Sequence, residues 1–162
     1  MQPITFTCNE TLPLAPEDIA RQILDLTKWP DFHGYWPIPG IKVAEFDVQT
    51  PCITGTRIRV TNLDGSSHVE EIVEWQPDHR IRLEMKEFSP PLSRLATRFE
   101  ETWEFKRIEK GTHATRSFQL QAKSFLARLP LRVISFFLKR AIARHLREMR
   151  TSEVAGYSTV MK

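Results

Sequence analysis

The sequence predicts an α+β domain, a curved antiparallel sheet of about seven strands wrapped around one long C-terminal helix, with one or two short helices after the first strand. Three observations predict it. The stretch LRVISFFLKRAIARHLREMR, Leu131 to Arg150, has helical periodicity: Leu131, Ile134, Ala141, Ile142, His145 and Met149 all fall within about 60° of Leu138 on a helical wheel. From Gly40 to Leu120 the text alternates with the period of strands and is punctuated by turn signals. The third is size: 162 residues, 41% hydrophobic and 27% charged, suit one domain with a real core, placed here at residues 1–153 with a patternless tail over 154–162 expected to be loose.

The elements follow in order. Ile4, Phe6 and Cys8 alternate with Thr5, Thr7 and Asn9, a strand with one buried face. Ala15-Pro16-Glu17-Asp18 starts a short helix, with proline in the first turn and acids at the positive end, and Ile19, Ile23 and Leu26 continue its apolar side. An aromatic and proline-rich connection, Lys28 to Pro37, holds Trp29, Phe32, Tyr35 and Trp36. Ile41 and Val43, then Ala44, Phe46 and Val48, alternate with a one-residue slip, as a β-bulge gives.

Thr56, Ile58 and Val60 are the inward set of the next strand. Asp64-Gly65 reads as a two-residue hairpin turn, which sets Val60 opposite Val69, Ile58 opposite Glu71 and Thr56 opposite Val73, with Trp75 also inward. After a turn at Gln76 to His79, Ile81, Leu83 and Met85 face in, and Phe88 to Ser93 is a loop at a sheet end. With Lys110-Gly111 as the next turn, Phe105 falls opposite Arg116, Trp103 opposite Phe118 and Glu101 opposite Leu120. Pro130 starts or kinks the long helix.

Composition bounds the function. A net charge of +3 and a pI near 9.0 are too mild to argue for nucleic acid, and none is expected as a partner. The charge is unevenly spread, with eight basic residues against Glu148 alone between Lys123 and Arg150. Cys8 and Cys52 form no metal or redox spacing, and MQPITFTCNE shows no basic region followed by an apolar run, so a disulfide-free cytoplasmic protein without signal peptide is expected. No phosphate loop, GxSxG elbow, CxxC pair or metal-ligand spacing is present, so no cofactor and no metal are expected.

A twisted antiparallel sheet with one apolar face needs a cover, and curling it around the helix tends to leave a cavity between them. This order of elements, with the opening FTCNETLPLAPEDIARQILDLTKWPDFHGYWP, the central VEEIVEWQPDHRIRL and the closing HLREMRTSEV, resembles the START-like (SRPBCC, Bet v 1-like) superfamily of polyketide cyclases and lipid-transfer proteins, over residues 2–153. The resemblance implies the helix-grip fold and an internal pocket for a lipid, polyketide or similar apolar molecule. Some members of the superfamily cyclise or hydrolyse their ligand and many only carry it.

The residues weighed for chemistry are those that alternation places on the inner face. Glu71, Glu101 and Arg116 stand among Val69, Val73, Trp103, Phe118 and Leu120, where a charge needs a partner or must become neutral. They are either the polar groups that orient a ligand or a structural pair. His145, on the apolar face of the helix, either serves a ligand as donor, acid or base, or is packed and hydrogen-bonded. The expected lining is Trp29, Phe32, Trp36, Ile58, Val60, Val69, Val73, Met85, Trp103, Phe118, Ile134, Leu138 and Ile142, together with those four polar residues. Val133 and Phe136 point away from Leu138 among Arg132, Arg140 and Arg144, which reads as a peripheral membrane contact through Val133, Phe136 and Arg140, or as packing or a dimer contact. Three functions are thus carried forward: a non-catalytic carrier of a small apolar ligand, which is preferred; a cyclase- or dehydratase-like enzyme in the same pocket; and an interaction module using the basic helix.

Overall fold

The computed structural model describes the backbone of residues 1–160 and the side chains of residues 1–156. The N-terminal alternation produces β1 (Ile4–Leu12), which pairs with β7 (Gly111–Ala122) so that Phe6 lies opposite Phe118, their rings stacked 4.9 Å apart. Next come α1 (Pro16–Leu24), opened by Pro16 and the acids Glu17 and Asp18, and a 3-10 turn over Leu26–Asp31. β2 (Ile41–Val48), β3 (Arg57–Asn62), β4 (Ser67–Gln76), β5 (Arg80–Lys86) and β6 (Ala96–Ile108) follow. The seven strands form one antiparallel sheet in the order β1-β7-β6-β5-β4-β3-β2. Register irregularities in β2, β4 and β6 bend it, since an extra residue on one strand increases local twist.

The sheet's concave face carries the core: Leu12, Ile58, Val60, Ile72, Ile81, Leu83, Phe118 and Leu120 are fully or almost fully buried. The convex face carries ion pairs across the strands, among them Arg59–Asp47 at 3.2 Å, Arg82–Glu100 at 2.8 Å and Lys86–Glu71 at 3.3 Å. Such surface pairs add little stability each, but they keep that face wet.

The long helix, α3 (Arg128–Val160), begins before Leu131, so that Pro130 lies in its first turn, where a missing N–H costs nothing. It runs on through 154–160, past the end of the sequence pattern. Helix α3 packs chiefly on β1, with smaller contacts to β7 and to α2 (Leu92–Leu95), a short helix that starts in the loop expected between Phe88 and Ser93 and runs two residues past it. Leu131, Ala141, Ile142 and Leu146 are buried, and the Cys8 thiol donates to the Lys139 carbonyl at 3.5 Å. The helix backbone thus lies nearest one margin of the sheet.

Two expected registers are corrected. The β3–β4 loop has three residues, Leu63 to Gly65: the N–H of Asn62 bonds to the Ser66 carbonyl and that of Gly65 to the Asn62 carbonyl, with Gly65 at φ +83°. The Asp64 carboxylate secures it by accepting from the Ser66 N–H at 2.9 Å and hydroxyl at 2.6 Å. One more loop residue slips the pairing by one, so Ile58 faces Glu70 and Val60 faces His68. A one-residue slip exchanges the faces of a strand, and β4 therefore turns His68, Glu70 and Ile72 inward and Val69, Glu71 and Val73 outward. An irregularity between Ile72 and Glu74 restores the phase, and Trp75 packs on the core as expected.

The β6–β7 turn is closed by Ile108 and Gly111, which sets Phe105 opposite Ala114, Trp103 opposite Arg116 and Glu101 opposite Phe118. That register is two residues away from the expected one. The faces are kept and only the neighbours change.

Candidate functional site

Between the sheet and α3 lies a cavity of about 710 Å³, within the usual range for small-molecule sites. Its sheet wall is Leu83, Met85, Phe99, Trp103 and Phe118, and its helix wall is Ile134, Leu138, Ile142, His145 and Met149. Trp29, Phe32, Ile41, Phe88 and Leu92 enclose it further. The cavity reaches the surface beside the exposed Lys28, Asp31, His33, Pro37 and Asp64. Trp29 is held by its indole N–H on the Ile23 carbonyl at 3.0 Å, and Phe32 meets the His145 ring edge to face at 5.6 Å.

Of the residues expected to line the pocket, Trp29, Phe32, Met85, Glu101, Trp103, Arg116, Phe118, Ile134, Leu138, Ile142 and His145 do so. The others do not. Ile58 and Val60 are sealed in the core, and Val69, Glu71 and Val73 are turned to the outer face by the hairpin register. Glu71 instead accepts from the Lys86 ammonium at 3.3 Å, so it is withdrawn from the acid–base candidates. Trp36 is 86% exposed in the Tyr35–Ile38 turn and touches no part of the cavity. Glu70 and His68 take the place of Glu71, and sequence reasoning missed both. The signal was Asn62-Leu63-Asp64-Gly65, which fits a type I turn with glycine in the left-handed position as well as Asp-Gly fits a two-residue turn.

The inner polar groups form two hydrogen-bonded sets, Arg116 with Glu101 and His145, and Glu70 with His68, and the charge of Glu70 is felt at Glu101. Arg116, buried, donates from Nε and Nη2 to Glu101 Oε1, both at 2.6 Å, and from Nη1 to His145 Nδ1 at 3.1 Å. Its guanidinium lies over the Trp103 ring, 4.3 Å from the centroid. Glu70, also buried, meets His68 Nε2 at 3.0 Å.

Burial pushes the Glu101 carboxyl upward from the ordinary carboxylate range; Arg116 opposes this, and the nearby Glu70 adds to it. Burial, with the Arg116 charge and then His33, pushes His145 down to about 3. Because its Nδ1 accepts from a guanidinium, the neutral ring carries its proton on Nε2. That nitrogen has no hydrogen-bond partner among the described residues and is not a sealed orphan, so its N–H is presented to the cavity. His145 is thus a fixed donor at neutral pH and too weak a base to take a proton. Among the described residues no three His, Cys, Asp or Glu side chains cluster as metal ligands would, and no helix is long and apolar enough to cross a membrane.

A bent antiparallel sheet that clasps a terminal helix around an apolar cavity defines a helix-grip protein. The chain belongs to the family described as polyketide cyclase / dehydrase and lipid transport, whose model matches residues 3–152. The match agrees with the resemblance drawn from residues 2–153.

Solved structures with the same fold include the protein TTHA0849 from Thermus thermophilus (TM-score 0.69, 17% identity, 94% of this chain and 99% of that one). Another is the di-domain ARO/CYC StfQ from the steffimycin biosynthetic pathway (TM-score 0.66, 16% identity, 95% of this chain and 52% of that one). A third is Ara h 8.0201 (TM-score 0.61, 16% identity, 90% and 99%). At these identities the likeness is one of fold. No curated protein matches the sequence.

Proposed function

We propose that this protein binds and carries a small, largely apolar molecule bearing an uncharged polar group, held between the sheet and α3. The observation that carries the reading is the cavity of about 710 Å³, whose sheet and helix walls are mainly apolar side chains with Glu70, Glu101, Arg116 and His145 set among them and further polar residues at its mouth. The Arg116 charge is matched by Glu101, and Glu70 adds a second carboxylate, so an anionic head group would meet more repulsion than attraction. A hydroxyl or carbonyl fits better: the His145 N–H can donate to either, and a hydroxyl can in turn donate to Glu70. Two free cysteines, Cys8 and Cys52, suit a reducing compartment, and we place the carrier in the cytoplasm.

Native mass spectrometry of the purified protein, with titration by a neutral fluorescent apolar probe, tests this. The wild type should retain a small molecule or take up the probe with one-to-one stoichiometry. Leu138→Trp, which projects an indole into the cavity, should lose both. Equal probe binding by wild type and Leu138→Trp would overturn the reading.

An enzymatic reading, cyclase- or dehydratase-like, is favoured by one observation, the pair of carboxylates Glu70 and Glu101 in the same cavity. Glu101 is tied up by Arg116 and by the Trp103 side chain, so the acid–base work would fall to Glu70. Turnover of a polyketide-like substrate that Glu70→Gln abolishes, with ligand binding intact, would favour the enzyme over the carrier.

A further inference from the structure

At the start of α3 the molecule leaves a strip of large apolar side chains in water. Phe125, Leu126, Leu129, Val133 and Phe136 are between 52% and 86% exposed. Single exposed apolar residues are ordinary, but this set is contiguous and ordered. Leu129, Val133, Phe136 and Arg140 recur at i, i+4, i+7 and i+11, which puts them within about 60° of one another on the helix, with Phe125 and Leu126 extending the strip from the preceding turn. The reading in which Val133 and Phe136 pack under the Phe125 to Leu129 turn is therefore removed, because that turn is itself exposed.

The charge around the strip is of one sign. Arg132 and Lys139 flank it, and the Arg140 guanidinium lies over the Phe136 ring, 4.5 Å from its centroid. None of these three meets a carboxylate among the described residues, and no acid occurs from Lys123 to Arg147. An apolar strip framed by unpaired cations complements one kind of surface, an acyl-chain layer beneath anionic headgroups. A second copy of this chain fits poorly, since a two-fold contact would set Arg132, Lys139 and Arg140 against their own copies.

We propose that this strip is a peripheral docking surface for anionic lipid membrane. Leu129, Val133 and Phe136 enter the interface, and Arg132, Lys139 and Arg140 meet the lipid phosphates. The surface also adjoins the cavity wall: the N–H of Lys123, which leads into the strip, bonds to the Leu95 carbonyl at 2.8 Å, its ammonium reaches the Ser93 carbonyl, and Leu92 and Leu95 line the cavity. Docking therefore brings α2 next to the lipid. The proposal stands apart from the carrier reading, because it needs only the outer face of α3.

Co-sedimentation with vesicles of phosphatidylcholine alone, and of phosphatidylcholine with phosphatidylglycerol, tests it. The wild type should pellet with the anionic vesicles, stay in solution with the neutral ones, and be released by salt. Leu129→Ser/Phe136→Ser should lose binding, and Arg132→Glu/Arg140→Glu should weaken partitioning by more than roughly tenfold. All four positions are exposed, so circular dichroism and thermal unfolding should match the wild type. Leu138→Trp should still pellet, which separates a failure of the cavity reading from a failure of this one. The proposal is overturned if the wild type ignores anionic vesicles, if either double variant binds as the wild type does, or if sedimentation velocity shows a dimer that Leu129→Ser/Phe136→Ser dissociates.

Discussion

The His145 imidazole is held uncharged by its surroundings, and acid should therefore unfold this protein through it. In the unfolded chain the ring titrates near its ordinary 6.5, and in the folded state only near 3, because burial and the adjacent Arg116 both oppose a second proton. The folded-state value is depressed, so the stability held by the neutral ring is fully present above pH 6.5 and drains away as pH falls toward 3. Between those values the unfolded chain binds one proton more, which costs up to about 1.4 kcal/mol per pH unit. Integrated from pH 7 to pH 5, the loss is about 2 kcal/mol from this residue alone.

Other groups also titrate in that range, so the measurement is a difference. Urea denaturation followed by tryptophan fluorescence, at pH 7 and pH 5, should show the wild type losing about 2 kcal/mol more than His145→Gln. Glutamine keeps an oxygen to accept from Arg116 and cannot gain a proton. Equal losses in the two proteins, or an NMR titration placing the folded His145 near 6.5, would refute the reasoning.

Two further predictions concern the same cluster. Glu101→Gln leaves the Arg116 guanidinium buried without its counter-charge and should cost roughly 3 kcal/mol, whereas Glu101→Leu/Arg116→Met should recover most of the loss; equilibrium unfolding of the three proteins checks this. Glu70→Gln should weaken uptake of a hydroxyl-bearing probe several-fold while Glu71→Gln changes neither uptake nor stability by more than about 0.5 kcal/mol, because only the first faces the cavity. Isothermal titration of both variants decides between the two glutamates.

The fold was legible because period-two and period-3.6 patterns are burial patterns, and burial is what the sheet and α3 enforce. The inward sets Ile58 and Val60, Ile81, Leu83 and Met85, and the helix face around Leu138, are buried or line the cavity as read. Arg116 and Glu101 were legible for the same reason: a charge at an inward position of β6 or β7 has nowhere else to go. Glu70 was not, and the cause is one residue of loop. β4 carries Val69, Glu71 and Val73 on one face and His68, Glu70 and Ile72 on the other, so neither register looks wrong by hydrophobicity. The Asp64–Ser66 hydrogen bonds that choose between them are side-chain chemistry of the turn, invisible to alternation. Trp36 was misplaced on a different ground. An aromatic in a proline-rich connection has no period to assign it a side, and the Tyr35–Ile38 turn carries it outward.

The bent second strand has a consequence beyond the curvature of the sheet. β2 ends the sheet, and a free margin of unpaired amides and carbonyls invites a neighbouring polypeptide to zip on. Here that margin is broken twice, between Ile41 and Val43 and between Phe46 and Val48, and it bears Lys42, Glu45 and Asp47 along eight residues. A straight intruding segment would find its partners out of step at both ends. The same kinks that bend the sheet thus guard this edge against fibril-like stacking.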